Sequence, residues 1–167
     1  MSAPLQSGSR NRITLGLAEF ETSRSPDVTF ITYALGSCLG ITLYDPVARV
    51  GGLLHVMLPS ASVDPAKAKT RPGMFVDTGL PHLFHSAYKL GAVKSRLIVK
   101  VAGGATRLQS ETQRIAARNI AAARKILWQN SVLITAADTG GKNPRTMSLR
   151  LSDGEVMIKT HQRSYQL

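Results

Sequence analysis

The chain has 167 residues, enough for one substantial core, and its 43% apolar content is that of a globular protein rather than a disordered one. A single cysteine excludes an internal disulfide framework, and no stretch has the apolar length that spans a bilayer. Lysine and arginine number 21 against 10 acidic residues, a formal charge of +11, which favours acidic partners. Nucleic acid is not expected among them, because aromatics are only 5%, zinc-finger spacing is absent and the basic residues are dispersed.

Met1 to Arg12 is polar and small, with no apolar stretch of the kind a secretion signal needs. It reads as a flexible leader (1–12) before a single domain (13–167), and a cytoplasmic protein without membrane insertion is expected. Ile13 to Phe20 predicts a strand, Ser25-Pro26-Asp27 a turn, and the β-branched run Val28 to Ala34 a second strand. Leu39 to Tyr44, closed by Asp45-Pro46, and Val50 to Leu58, closed by Pro59, complete a β-rich first third. Ser60 to Gly73 has no periodicity and reads as a surface loop.

The spacing of Leu80, Leu83, Phe84 and Ala87 predicts a helix over 77–90, with Gly91 where a C-terminal cap belongs. Arg96 to Val101 predicts a strand ending in Gly103-Gly104. A second helix opens at Ser110, with Gln113 placed for a capping box, and runs to about Gln129. Its expected buried stripe is Ala116, Ile120, Ala123 and Leu127, while Arg114, Arg118 and Lys125 share another face. Val132–Ala136, Met147–Leu151 and Glu155–Lys159 predict strands, the last two joined by a turn at Asp153-Gly154. Strands interrupted by two helices, without regular alternation, indicate an α/β (α+β) fold of mixed β-sheets flanked by helices.

The segment Thr32-Tyr-Ala-Leu-Gly-Ser-Cys38-Leu-Gly40 carries the candidate chemistry. Glycines and small residues around a cysteine let substrate approach the backbone and leave N–H groups for a developing oxyanion. A thiol needs a base or a cation to react as thiolate. His55, on the strand that follows, is the candidate base, and the Thr32 hydroxyl is placed to orient it. On spacing alone a lone cysteine is more often a small buried hydrophobe, and a histidine in an apolar strand more often a satisfied core residue. His82 and His85 stand three apart on a helix but lack a third ligand for a metal. The pairs Gly51-Gly52, Gly103-Gly104 and Gly140-Gly141 fit no phosphate loop and read as turns or bulges.

Leu35-Gly-Ser-Cys38, Tyr44-Asp-Pro-Val-Ala48, Gly51-Gly52 with His55-Val-Met-Leu-Pro59, and Pro72-Gly73 with Asp77-Thr78 form an ordered series. It continues through Lys100-Val-Ala-Gly-Gly-Ala105, Ala117-Arg-Asn119 and Asp138-Thr-Gly-Gly141 with Arg145. Together these resemble CheD, the chemoreceptor glutamine deamidase family of bacterial and archaeal chemotaxis. The resemblance implies a Cys-His-Thr triad falling on Cys38, His55 and Thr32, and a fold similar to deamidating-toxin-type cysteine hydrolases. It further implies conversion of glutamines on methyl-accepting receptor helices to glutamate, without metal or organic cofactor, and a CheC-type phosphatase as a second partner. Two alternatives stand beside it: a glutamyl methylesterase or other cysteine amidase using the same site, or a non-catalytic module that binds through the basic helix.

Overall fold

The computed structural model describes residues 11–107 and 110–167. In chain order these form β1 (Asn11–Thr14), β2 (Phe20–Ser23), β3 (Val28–Leu35), β4 (Leu39–Asp45) and β5 (Val50–Val56). There follow α1 (Pro65–Thr70), α2 (Val76–Lys89), β6 (Ile98–Gly103) and α3 (Glu111–Gln129). The chain ends with β7 (Ile134–Thr139), β8 (Arg145–Arg150), β9 (Val156–Lys159) and β10 (Ser164–Gln166).

The strands divide between two mixed sheets, ordered β1-β3-β8-β9-β10 and β2-β5-β4-β6-β7. The β1–β3 and β6–β7 pairs are parallel, and the other pairs are antiparallel. This is the expected α/β architecture of mixed sheets with flanking helices. The period of two along a strand assigns the faces. On β4, Leu39, Ile41 and Leu43 pack in one core with Leu80 and Leu83 of α2 and with Ala123 and Leu127 of α3. Tyr44, from the opposite face of β4, packs with Leu53, Phe30, Met147 and Leu149 in a second core between the sheets. The second sheet is therefore the middle layer, with helices on one side and the first sheet on the other.

Gly51 and Gly52, expected in a turn or bulge, lie inside β5 instead. A Cβ on Gly51 would stand 2.2 Å from Leu151 Cδ2, and one on Gly52 2.9 Å from Leu83 Cδ1. The pair thus lets the middle sheet approach both neighbouring layers. Gly91 behaves as expected at the end of α2. It takes φ 104°, and the bonds Gly91 N–H to the Tyr88 carbonyl and Ala92 N–H to the Ala87 carbonyl close the helix.

Three other expectations are corrected. The strand expected over 13–20 is two strands in different sheets, because Ala18 turns into the left-handed region at φ 63° and carries the chain across. Asn11 and Arg12, expected in a leader, pair instead with Val28 and Thr29, and the rest of that expectation, residues 1–10, lies outside the described residues. The loop expected over 60–73 contains α1 and two short 3-10 turns. Local capping drives them, with Asp64 accepting from Lys67 N–H at 2.9 Å and Asp77 from Ala61 N–H at 2.8 Å. The edge strand β10 has too weak a pattern to be read from sequence.

Asp45 closes β4 as a wholly buried carboxylate. Burial by itself would raise its pKa. Hydrogen bonds from Arg96 and from the Val93, Ala48 and Val47 N–H groups outweigh that and hold the carboxyl well below the usual carboxylate range. A folded pKa below the unfolded one means that the stabilisation is complete above the ordinary aspartate range. It is lost as pH falls through the folded value. Asp45→Asn is expected to cost about 3 kcal/mol at neutral pH and progressively less as acid titrates the wild type. Urea denaturation at several pH values measures this, and an unchanged difference across that range would contradict it.

Candidate active site

β3 would run straight past its partner but for a bulge. Thr32 faces Met147 and Leu35 faces Arg145, so three steps on β3 match two on β8. Ala34, at φ 55°, supplies the extra residue. Thr32 stays on the core side with Phe30, while the chain beyond Leu35 turns through Gly36 and Ser37 to Cys38 and into β4.

His55 stands opposite Gly40 on the neighbouring strand, on the face that looks between the sheets. A Cβ at Gly40 would stand 2.8 Å from Met147 Sδ and 3.6 Å from Thr32 Cγ2. This face of β4 therefore lies against Met147 and Thr32. Cys38 lies two residues before Gly40, one residue ahead of the paired segment of β4 that begins at Leu39 opposite Val56. It is half-buried and packs against the inter-sheet core.

The Thr32 hydroxyl lies 2.8 Å from the Leu15 carbonyl and 2.7 Å from His55 Nδ1. A carbonyl can only accept, so the one hydroxyl proton goes to Leu15. Oγ1 must then accept from His55 Nδ1–H. In the neutral ring this leaves the lone pair on Nε2, which is buried with no hydrogen-bond partner among the described residues. The crossing segment 15–19 also holds the His55 backbone from both sides. His55 N–H donates to the Glu19 carbonyl, and the His55 carbonyl accepts from Ala18 N–H, both at 2.9 Å.

Burial lowers the His55 pKa, with the Glu19 carboxylate pulling partly the other way. Burial also raises the Cys38 pKa, against hydrogen bonds from its own N–H and from Ser37. Both shifts favour the uncharged forms, so at rest the site holds a thiol and a neutral imidazole rather than a preformed ion pair.

The floor under Cys38 is built by glycines. Gly103 and Gly104 have φ of 112° and 66°, and Gly104 N–H donates to the Cys38 carbonyl at 2.9 Å. A Cβ on Gly103 would stand 2.3 Å from that carbonyl oxygen. Arg145 is buried beneath and donates to the Gly103 carbonyl at 2.9 Å and the Gly140 carbonyl at 2.6 Å. It also pairs with Asp138 at 3.4 Å, which accepts from Tyr165. Gly103→Ala combines a left-handed φ with a backbone collision, so a loss of about 3 kcal/mol and a displaced Cys38 are expected. Thermal unfolding and Cys38 alkylation rates measure the two effects, and an unperturbed variant would refute the close approach.

Asn119 was legible only as part of a motif, without a role. It is fully buried on α3 and donates to the Ser37 carbonyl at 3.0 Å and the Met57 carbonyl at 2.9 Å. Its spacing from Ala116 and Ala123 put it on the buried stripe, and a polar residue there was the available signal. Ile120, expected in that stripe, is only partly buried. The Ser110 cap is present, its hydroxyl accepting from Thr112 N–H at 3.3 Å. Arg114, Arg118 and Lys125 are exposed, and Arg114 pairs with Glu111 at 3.2 Å. His82 and His85 are exposed too, with His82 Nδ1 2.8 Å from the Thr78 carbonyl. Among the described residues no three His, Cys, Asp or Glu side chains gather as a metal would require, and no helix is long and apolar enough to cross a membrane.

Fold and site together define a mixed α/β protein with a lone thiol on a glycine-lined turn at the core between the sheets, and a histidine bonded to a threonine on the same inter-sheet side. The chain belongs to the CheD family: residues 57–160 match the family model described as CheD chemotactic sensory transduction. It is 48% identical over 149 residues to the "Probable chemoreceptor glutamine deamidase CheD 1" of Syntrophus aciditrophicus, covering 89% of this chain and 93% of that one. The "Probable chemoreceptor glutamine deamidase CheD" of Solibacter usitatus is 39% identical over 157 residues, 93% of each chain. That of Pyrococcus horikoshii is 40% identical over 150 residues, 88% of this chain and 91% of its own. Among solved structures, Neisseria meningitidis protein NMB0706 aligns with TM-score 0.39 and 11% identity over 73% of this chain and 51% of that one. That likeness is too slight to bear on fold or chemistry.

Proposed function

We propose that this chain is a chemoreceptor glutamine deamidase that works through a thioester on Cys38. The carrying observation is the Thr32–His55 bond at 2.7 Å, with the Thr32 proton committed to Leu15. That arrangement leaves the buried Nε2 as a free base on the inter-sheet side, against whose core Cys38 also packs.

Nε2 accepts the thiol proton as sulfur adds to the carboxamide carbon, and the carbonyl oxygen becomes an oxyanion. Collapse of the adduct breaks the C–N bond, and the imidazolium returns its proton to the leaving nitrogen, releasing ammonia. Nε2 next takes a proton from water, whose hydroxide attacks the thioester. Breaking the C–S bond yields glutamate and restores the thiol. Thr32 keeps Nδ1–H in place throughout and does not ionise. Every step uses side chains of this chain and water.

The substrates are glutamines on the cytoplasmic helices of methyl-accepting chemotaxis receptors, so the enzyme works in the cytoplasm, where a thiol stays reduced. A CheC-type phosphatase is its second protein partner. The test offers purified protein two versions of a receptor cytoplasmic fragment, one with glutamine and one with glutamyl methyl ester. Ammonia release, with the mass gain of replacing NH2 by OH, is expected from the first. Methanol from the second alone would make the protein an esterase, and binding without any mass change would make it a non-catalytic module.

A further inference from the structure

Asn119 is the one wholly buried side-chain amide among the described residues that reaches both the cysteine turn and the histidine strand. Its two bonds go to carbonyls, at Ser37 and Met57, and carbonyls only accept. The end facing them must be the NH2, so the orientation of the amide is set by chemistry. The other end, Oδ1, is buried with no partner among the described residues. A leucine would fill a similar volume without that unpaired oxygen, so packing by itself does not account for an asparagine here.

The bond to Ser37 has a geometric consequence one atom further along. The peptide joining Ser37 to Cys38 is trans, as are the other described peptide bonds. In a trans peptide the carbonyl and the following N–H point in opposite directions. Holding the Ser37 carbonyl toward α3 therefore turns Cys38 N–H away from the helix. That N–H meets the Cys38 thiol itself, and no other acceptor among the described residues takes it. With no carbonyl holding it, that N–H can turn from the sulfur to the adduct oxygen once sulfur has bonded to the carboxamide carbon. The second bond, to Met57, ties the end of β5, two residues past His55, to the same amide.

We propose that Asn119 is a positioning residue for the deamidation: it holds the Ser37 carbonyl so that Cys38 N–H donates to the oxyanion of the tetrahedral adduct. The inference rests on the reading of Cys38 as the nucleophile. An oxyanion donor acts only once the adduct forms, so its loss lowers kcat and leaves KM nearly unchanged. The loss of one such donor is typically about 10²- to 10³-fold.

The experiment compares Asn119→Leu with wild type in two reactions, deamidation of a receptor fragment and alkylation of Cys38 by iodoacetamide. Alkylation is a displacement at saturated carbon. It needs the thiol and His55 but creates no oxyanion. The expected result is kcat lower by roughly 10²-fold with KM and the alkylation rate close to wild type. Asn119→Ser keeps one hydroxyl donor and adds no bulk. It should recover part of the loss, and it carries the test should the leucine variant not fold. Wild-type kcat in either variant overturns the inference while leaving the deamidase reading intact. Parallel loss of kcat and alkylation overturns it as well, because Asn119 would then support the fold of the site rather than the oxyanion. A wild type that never releases ammonia instead removes the deamidase reading beneath it.

Discussion

Replacing Cys38 by alanine is expected to remove ammonia release from receptor fragments by at least about 10³-fold, with binding of the fragment retained. Thr32 is buried with its proton committed to Leu15, the Ser37 hydroxyl bonds to the Cys38 sulfur, and the sequence has no second cysteine. Cys38 is half-buried at the edge of the inter-sheet core, so removing its sulfur costs about 1 kcal/mol and the fold survives. Thermal unfolding of the variant, run beside a time course of ammonia and fragment mass, separates the two effects. Full activity in the alanine variant would end the thioester mechanism.

His55→Gln is expected to lower kcat by about 10³-fold, for a different reason. The glutamine amide can still donate to Thr32, so the buried hydroxyl keeps a partner, but no group remains to take the thiol proton. Thr32→Val, at the second remove, should cost roughly 10²-fold. Without the acceptor the imidazole is free to carry its proton on Nε2, where it cannot serve as a base. The double variant should be hardly slower than His55→Gln, because the threonine acts only through the ring.

The pH profile of kcat/KM tests the same picture. His55 must be neutral to accept a proton, and burial lowers its pKa against the opposing pull of Glu19. The acidic limb should accordingly fall at lower pH than for an ordinary imidazole. Burial raises the Cys38 pKa, so iodoacetamide should react faster as pH rises through a midpoint above the ordinary thiol value. An alkylation rate already level at neutral pH would mean a preformed thiolate–imidazolium pair, contrary to the shifts at both residues.

Several elements were readable from short-range pattern. The helix over 76–89 announced itself by its apolar spacing and by Gly91, and β3, β4 and β5 by β-branched runs closed with turn residues. Cys38, His55 and Thr32 stood out as candidates because of residue type, neighbouring glycines and an ordered series of motifs. Where sequence reading failed, the deciding contact was remote. The strand expected over 13–20 splits because its second half pairs with β5 rather than β3, and nothing within eight residues signals that choice. Gly51 and Gly52, at the start of the expected strand 50–58, read as a turn or bulge because local composition cannot reveal Leu151 or Leu83 pressing from the two adjacent layers.

What the sequence alone determined is thus the family and a set of candidate residues: a thiol among glycines, a histidine on the next strand and a hydroxyl ahead of both. Tertiary structure decided which nitrogen of that histidine is free. The reason is the Leu15 carbonyl, 17 residues from Thr32, which takes the only hydroxyl proton and leaves Nδ1–H to the threonine. It also decided that Asn119, 82 residues from Ser37, reaches the carbonyl just before Cys38. Hydrogen-bond direction depends on partners brought together by packing, and no local pattern encodes them.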